Sequence, residues 1–263
     1  MIRGMYAATA GMMTMLSRVQ TISNNLANVN TPGFREDTLR LTSFPQQLMA
    51  RLFSAGGTQQ IGSAINGIVN ESVATRFTQA SLRQTDSPLD LAINGDGFFG
   101  VQTAQGVRYT RDGSFRRDGN NQLVTAQGDL VLSDAGTPIT LPPGAVSVSP
   151  EGQIRVTALI DGISGPIDQP VARIGVFTAL EPGQLRKTAN NQFEDATGLA
   201  QIAPQPLNGR ATVHQGFLEN SNVDPARAMS DMMVAQRSYE ASARMLQLQD
   251  DMTARAVSDL GRL

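Results

Sequence analysis

The 263-residue sequence contains no cysteine, no tryptophan and one histidine, His214. Without cysteine, the chain can form neither a disulfide framework nor a thiolate metal site, and it has no cysteine nucleophile. With one histidine it cannot build a two-histidine zinc motif, and any charge-relay triad would depend on His214 alone. We therefore expect neither a metal nor another cofactor, and we interpret His214 as a structural polar residue.

The sequence also lacks an excess of charge of one sign and a long apolar run. It has 21 basic and 23 acidic residues and a formal net charge of −2, so composition gives no basic surface for nucleic acid. No run approaches the roughly 18 apolar residues of a membrane span, so we expect no membrane insertion. The apolar stretch after Arg3 raises the alternative of a secretory signal peptide. Two glycines and Thr9 dilute that stretch, however, and no clear small-residue cleavage site follows it.

What the sequence does contain is a long amphipathic segment at each end. Asp224 followed by Pro225 predicts a helix start, because Asp caps free amide hydrogens and Pro suits the first helical position. A helix that continues to Leu260 would be about 55 Å long at roughly 1.5 Å per residue, which is longer than a globular domain needs. Its heptad seam, counted from Met229, is Met229, Met232, Gln236, Tyr239, Ala243, Leu246, Asp250, Thr253, Val257 and Leu260.

A second seam lies at the N-terminal end. It consists of Ile2, Met5, Thr9, Met12, Leu16, Val19, Ser23 and Leu26. Two seams in one chain predict terminal helices that pack together as a coiled-coil domain. Many seam positions hold Met, Ala, Thr, Ser or Gln instead of Leu or Ile, which indicates crowded packing against several neighbours. A helical hairpin within a monomer is the alternative. If the seams pack in a polymer, a charge at Leu246 should prevent assembly.

The N-terminal helix is predicted to end in a stretch rich in asparagine. This stretch holds Asn24, Asn25, Asn28 and Asn30, and it closes with Pro32 and Gly33. Asparagine and glycine tolerate left-handed backbone, and proline cannot continue the helical ladder. The row of amides is either an ordinary helix cap or a set of groups that bind neighbouring backbone at an interface.

The middle of the chain predicts an antiparallel β domain inserted between the two helices. From residue 82 to residue 221, short β-prone runs, among them 91–93, 98–102, 107–110 and 171–178, alternate with turn dipeptides such as Asn94-Gly95 and Asp112-Gly113. Residues 35–81 read as an extended connector arm with a short amphipathic helix from Gln46 to Phe53 and a hairpin turn at Asn66-Gly67. The predicted fold class is therefore mixed α and β, with the coiled-coil domain formed by residues 1–34 and 222–263.

Five aspartates in this middle region raise an alternative function. Two suitably placed carboxylates could hydrolyse a glycan, so the chain could be a secreted cell-wall-active enzyme or glycan-binding module with a helical stalk. However, three of the five directly precede glycine, where a short acidic side chain stabilises a turn. A calcium loop lacks the required register and the closing glutamate. We therefore predict no catalytic site and no enzyme; the five residues are Asp86, Asp90, Asp96, Asp112 and Asp118.

Four sequence blocks, in order along the chain, resemble the flagellar basal-body rod and hook family. The first runs from the N-terminal helix through Ser-Asn-Asn-Leu-Ala-Asn to Thr-Pro-Gly-Phe, ending at Phe34. The others are Leu89 to Phe99, Tyr109 to Phe115, and Leu218 to Asp224 continuing into Ala235 to Glu240. The length resembles the distal-rod type, since the hook protein is longer and the proximal-rod proteins are much shorter.

The resemblance implies a structural subunit that polymerises helically through its terminal helices, forming a drive shaft around an export channel and transmitting torque to the hook. The implied partners are further copies of itself, other rod subunits and the hook protein, the flagellar type III export apparatus, and the surrounding ring or cell wall. The implied location is the flagellar basal body, beyond the cytoplasmic membrane, in the periplasm or cell wall. The assembly residues that we predict are Met5, Met12, Leu16, Val19, Asn24, Asn25, Leu26, Asn28, Asn30, Met229, Met232, Tyr239, Leu246, Val257 and Leu260.

Overall fold

The computed structural model describes residues 2–43, 47–52, 58–64, 68–158, 167–195, 198, 200, 202–204 and 211–260. The chain divides into two compact units, each assembled from separate stretches of sequence. We call the first the helical unit; it consists of Met1–Ala27, Asp37–Ala74 and Asp224–Leu263. We call the second the β unit; it consists of Asn28–Glu36 and Thr75–Val223.

The helical unit contains both helices and four strands. Helix α1 spans Ile2–Ala27 and helix α2 spans Pro225–Leu260. Strand β1 (Asp37–Ser43) pairs with β4 (Ile68–Thr75), and β2 (Gln47–Leu52) pairs with β3 (Thr58–Ala64). Within the described residues, neither helix is long and apolar enough to cross a membrane.

The start of α2 confirms the prediction made from Asp224 and Pro225. The Asp224 carboxylate accepts hydrogen bonds from the backbone N–H groups of Ala226 (3.0 Å) and Arg227 (3.2 Å). These two N–H groups have no partner inside the helix, so the carboxylate satisfies them and fixes where the helix begins.

The predicted short helix from Gln46 to Phe53 is wrong, because Gln47–Leu52 forms strand β2. Its residues pair antiparallel with β3, with a register shift between Met49 and Ala50. A six-residue stretch gains more from pairing its backbone with a neighbouring strand than from a helix too short to be stable by itself. The predicted turn at Asn66-Gly67 lies outside the described residues.

The two helices contact each other, but the prediction of a coiled-coil domain is wrong. In α1 the seam residues Thr9, Leu16 and Ser23 are exposed, whereas Ala8 and Ile22, one position away, are buried. A coiled coil requires its seam side chains to fill the partner helix. Here the apolar residues are spread over more than one face, so a single heptad frame does not describe the contact.

Small residues occupy the contact between the helices. In α2 Ala235 is buried, while its neighbour on the predicted seam, Gln236, is exposed. Gly11 of α1 faces Ser242 of α2, where an added Cβ would lie 3.9 Å from the serine hydroxyl oxygen. Small side chains therefore face each other at this contact, and several of the larger apolar residues lie on other faces.

The β unit contains sixteen described strands and confirms the prediction of an antiparallel β domain. Their bounds are β5 Leu82–Gln84, β6 Leu91–Gly95, β7 Phe98–Thr103, β8 Gly106–Thr110, β9 Arg116–Arg117, β10 Leu123–Val124, β11 Leu130–Val131, β12 Ala145–Val148, β13 Gln153–Ala158, β14 Ile167–Arg173, β15 Val176–Ala179, β16 Arg186–Lys187, β17 Gln192–Glu194, β18 Ile202–Pro204, β19 Ala211–Gln215 and β20 Phe217–Glu219. Two short 3-10 turns lie at Pro182–Gln184 and Ala189–Asn191.

Strand β7 lies at the centre of the largest sheet. It pairs with β8, β11 and β15, and the sheet continues in the order β16-β17-β8-β7-β11-β10-β9, with β18 beside β15. Strands β12, β13 and β14 form a three-stranded sheet, and β19–β6 and β20–β5 form two-stranded ones. The last two pairs bring the end of the β unit back to its beginning.

Among its described residues, the β unit has two hydrophobic clusters. The larger contains Phe99 and Phe115, whose rings meet edge to face with centroids 5.1 Å apart. The smaller contains Phe98 and Phe193, with Phe77 packed against both rings. Phe99 and Phe193 have no exposed surface, so each cluster is closed by residues of this unit.

Candidate functional site

The family-like sequence blocks meet at a buried group of charges in the β unit. We call this the arginine–glutamate cluster; it consists of Arg35, Arg111 and Glu219. Arg35 directly follows the Thr-Pro-Gly-Phe ending of the first block. Arg111 lies in the third block, at the end of β8, and Glu219 lies in the fourth, at the end of β20.

Glu219 holds both arginines. Its Oε1 lies 2.9 Å from Arg35 Nη1, and its Oε2 lies 3.3 Å from Arg111 Nη1. Oε1 also accepts a hydrogen bond from the Ala80 backbone N–H at 2.9 Å. All three side chains are at most 4% exposed, so water screens these charges little.

The arginines are costly to bury. Burial lowers the pKa of Arg111 to about 10, and the attraction of the Glu219 carboxylate offsets only part of this effect. Burial likewise lowers the pKa of Arg35. The Glu219 carboxylate between the two guanidinium groups therefore contributes little net stability to the unit. Its main effect is to determine which chain segments meet here.

Each arginine also donates to a backbone carbonyl of another segment. Arg35 Nη1 donates to Thr78 O at 2.6 Å, and Arg111 Nη2 donates to Gly95 O at 2.8 Å. Gly95 belongs to the second sequence block, so all four blocks contribute to this one region. No pattern in the sequence predicted this cluster. The sequence feature that could have indicated it is the presence of charged residues in or beside blocks that are otherwise apolar or turn-forming.

Gly33 allows the first block to approach the third. Its φ is +65°, and an added Cβ would lie 2.6 Å from the backbone nitrogen of Asp112. Its own N–H donates to Glu219 O at 2.8 Å. Only glycine combines that backbone angle with so close an approach.

The four asparagines predicted to lie at an interface differ in how exposed they are. Asn25 is buried; its amide donates to Asp37 O at 2.8 Å and accepts from Asp37 N at 3.0 Å. Asn28 Oδ1 accepts from the Thr31 hydroxyl at 3.1 Å and is half-buried. Asn24 and Asn30 are exposed. Asn25 and Asn28 thus each bond within the chain that carries them.

The predicted seam residues also differ in exposure. Leu16, Met229, Tyr239 and Val257 are exposed, with Val257 reaching 70%. The half-buried ones are Met12, Val19, Leu26, Met232 and Leu246. Met5 and Leu260 lie outside the residues whose side chains the structure describes.

Helix α2 carries an exposed apolar strip that the sequence analysis missed. We call it the flank strip; its members are Val234, Ala241, Met245, Leu248 and Met252. The four large members are 53–63% exposed. Their spacing of seven, four, three and four residues puts them on one face, about a quarter turn from the buried Ala235. On α1, Met13 and Leu16 are likewise exposed, at 65% and 49%.

The aspartates considered for catalysis include two that bond to their own turns. Asp112 Oδ1 accepts from the N–H of Ser114 at 3.0 Å, and Asp118 Oδ1 accepts from those of Asn120 and Gln122 at 2.9 and 2.6 Å. His214 shares a hydrogen bond of 3.2 Å with the Thr212 hydroxyl and packs its ring against Phe217. Among the described residues, no three histidine or carboxylate side chains lie close enough together to hold a metal ion.

Comparison with known proteins gives three family matches along the chain. Residues 5–35 match the flagella basal body rod protein family, residues 92–156 match the D1 domain of the flagellar hook protein FlgE/F/G family, and residues 214–259 match the C-terminal part of the flagellar basal body rod FlgEFG family. These three ranges contain residues from all four sequence blocks.

Full-length relatives agree with these matches. The chain is 33% identical to the flagellar basal-body rod protein FlgF of Caulobacter vibrioides, over 100% of both chains. It is 34% identical to FlgG of Borreliella burgdorferi over 96% of each, and 32% identical to FlgG of Bacillus subtilis over 98% of this chain and 99% of the relative.

Proposed function

This chain belongs to the family of flagellar basal-body rod proteins and is a structural subunit of the rod, and we propose that it polymerises through the exposed apolar faces of its two terminal helices. Family membership gives it a location in the flagellar basal body and an association with other rod and hook components. The proposal concerns which surfaces of the chain make those contacts.

The single observation that carries the proposal is the position of the exposed apolar side chains. In the described residues, the large hydrophobic side chains that remain exposed lie mostly on α1 and α2; the exceptions are Val73, Val107 and Leu180. Exposed apolar strips of this length on a soluble protein mark surfaces that other molecules cover. Because rod subunits assemble with one another, we assign these strips to further copies of this chain and to the neighbouring rod subunits.

The interface that we propose combines the predicted seam residues with the flank strip. Leu16, Met229, Tyr239 and Val257 are already exposed for such contacts. The half-buried seam residues, such as Met232 and Leu246, would contribute their remaining surface. The side chain of Asn30, which is exposed, would bond to neighbouring backbone in this interface, whereas Asn25 uses both ends of its amide within the chain.

The finer parts of the function rest on the same arrangement. We propose that the helices form the inner layer of a helical tube that encloses an export channel, and that β units form an outer layer transmitting torque towards the hook. The outer layer would face the surrounding ring or cell wall, beyond the cytoplasmic membrane. The chain would reach this position through the flagellar type III export apparatus.

The alternative of a wall-active enzyme gains no support from the described surface. A groove beside strands β13 and β14 is lined by one carboxylate, Glu151, together with Gln153, Pro170, Val171, Ala172 and Arg173. Glycoside hydrolysis ordinarily uses two carboxylates that flank the bond to be broken.

A charge on the flank strip tests the proposal. Leu248 is 63% exposed, so Leu248→Asp leaves the monomer folded but buries an unpaired charge at each subunit contact, which costs several kcal/mol. We expect loss of rod formation and of swimming, with an unchanged circular dichroism spectrum of the purified chain. Leu248 is a sharper site than Leu246, which is half-buried within the chain itself.

The matched control is Gln247→Asp, which adds the same charge one residue away, at an exposed position off the flank strip. Cells with this variant should form rods and swim. Normal swimming by the Leu248→Asp strain would show that the flank strip is not a subunit contact.

A further inference from the structure

We propose that the β unit contains a binding site for the chain's own residues Asn28–Glu36, and that docking of this segment, positioned by Arg35, is required before a subunit can join the polymer. We call Asn28–Glu36 the linking segment. This inference rests on the proposed function, since it assigns a condition to the same assembly step.

The linking segment is held as a bound peptide is held, by side chains that reach its backbone. It belongs to none of the described strands or helices. Lys187 Nζ donates to Arg35 O at 2.7 Å, and Asn191 Nδ2 donates to Pro32 O at 2.9 Å. Lys187 Nζ also lies 3.6 Å from the centroid of the buried Phe34 ring, within the range of a cation–π contact.

The Glu219 carboxylate, which binds Arg35 of the segment, has other partners in the β unit. Without Arg35, the Glu219 carboxylate would still have Arg111 and the Ala80 N–H as partners. Loss of Arg35 therefore leaves no unpaired charge in the rest of the β unit. The converse does not hold, because loss of Glu219 would remove the one carboxylate that these two buried guanidinium groups share.

Docking of the segment also carries an energetic cost. Arg35 Nε and Nη2 are buried without a hydrogen-bond partner among the described residues. Each unsatisfied donor offsets part of what the ion pair and Phe34 contribute. The segment is thus expected to open while the two hydrophobic clusters of the β unit stay closed.

Docking brings together the two places where the chain leaves the β unit for the helical unit. Glu36, the last residue of the segment, donates its N–H to Asn222 Oδ1 at 2.6 Å, and Asn222 N donates to Phe34 O at 3.3 Å. Asn222 precedes the helical unit by two residues, and the segment itself follows α1 directly. An undocked segment would no longer hold these chain positions together, so the residue before strand β1 and the residues before helix α2 would no longer be tied to each other.

The chain's single lysine provides the probe. Acylation of Lys187 with an N-hydroxysuccinimide ester, measured by mass spectrometry on the full-length monomer with the N-terminal amine as internal reference, reports whether the segment covers it. Arg35→Leu should raise the Lys187 labelling rate at least about tenfold, the range expected for losing a hydrogen-bonded charge. Arg116→Leu removes another arginine bond to a carbonyl, that of Ala126, on an exposed surface, and should change the rate less than about twofold.

Hydrogen exchange separates opening of the segment from unfolding of the β unit. In Arg35→Leu, the amides of Gly33 and Glu36 should lose protection while that of Leu123, which donates to Ile139 O, keeps it. Equal loss at all three amides would overturn the proposal, because the segment would then be part of one cooperative core. An unchanged Lys187 labelling rate would also overturn it.

Swimming connects docking to assembly. Cells carrying Arg35→Leu should fail to swim, whereas Arg116→Leu cells should swim. Normal swimming of the Arg35→Leu strain would overturn the requirement for docking, and the proposed function would still stand if Leu248→Asp abolished swimming. Swimming by the Leu248→Asp strain would instead contradict the proposed helical interface.

Discussion

The two units of this chain differ in where they keep their apolar side chains. The β unit closes its clusters around residues such as Phe99, Val101 and Phe193, which have no exposed surface. In the helical unit, the described residues include few buried apolar side chains, and Met229, Leu248, Val257 and others remain half exposed or more. The β unit buries its large apolar side chains, whereas the helical unit leaves many of its own exposed.

In the assembly that we propose, this difference separates folding of the β unit from association of the subunits. Folding of the β unit depends on contacts within one chain, so it is independent of concentration. In the proposed interface, burial of the helical strips would depend on neighbouring subunits, so that part of the hydrophobic free energy would be gained only on assembly.

The largest expected effect on the monomer is in the β-unit core. Phe99→Ala removes a ring that packs against Phe115 and should lower the free energy of unfolding by about 3–5 kcal/mol. Leu248→Ala, in the flank strip, should change it by less than about 0.5 kcal/mol. Urea unfolding of the dilute chain, followed by circular dichroism, measures both. Equal losses would mean that the helical surface is already buried in the monomer.

The buried charges of the β unit should come next. Glu219→Gln keeps the shape of the side chain but removes the negative charge that Arg35 and Arg111 share, which should cost about 3 kcal/mol. Glu194→Gln breaks the exposed pair with Arg186 and should cost no more than about 1 kcal/mol. The comparison is made by urea unfolding at low and high salt. A similar cost for both variants would contradict the role assigned to burial.

A smaller effect is expected where the first sequence block turns. Gly33→Ala forces a side chain into left-handed backbone against Asp112, and should cost about 2 kcal/mol. Gly119→Ala has no atom within 4 Å of the new Cβ and no such backbone angle, so it should change stability by less than about 0.5 kcal/mol. Thermal unfolding of the two variants provides the measurement. A stable Gly33→Ala chain would show that the linking segment adjusts without strain.

Sequence patterns correctly predicted those helix ends and strands that are determined by residues close together in the chain. The Asp224-Pro225 start of α2 was predicted to within one residue, because capping and the fixed φ of proline act within a single turn. Runs such as 91–93, 98–102 and 107–110 were predicted as strands and lie within β6, β7 and β8. The run from Val171 to Thr178 is instead divided between β14 and β15, which join different sheets.

The predictions that failed depended on partners. Whether residues 47–52 form a helix or a strand was decided by pairing with β3, which composition does not reveal. The single heptad frame failed because α2 has apolar residues on more than one face. A period of seven fits any one of these faces, and only packing selects the face that meets α1.

By itself, the sequence determined that two long helices flank an antiparallel β domain, since helix caps, turn dipeptides and apolar periodicity are properties of short stretches. The tertiary structure alone decided that Arg35 and Glu219, 184 positions apart, share one buried ion pair, and that Leu248 is exposed while Ala235 is buried. The physical reason is the distance along the chain over which each kind of interaction acts. Backbone preference acts over a few residues, whereas burial and charge pairing depend on which distant segments the fold brings together.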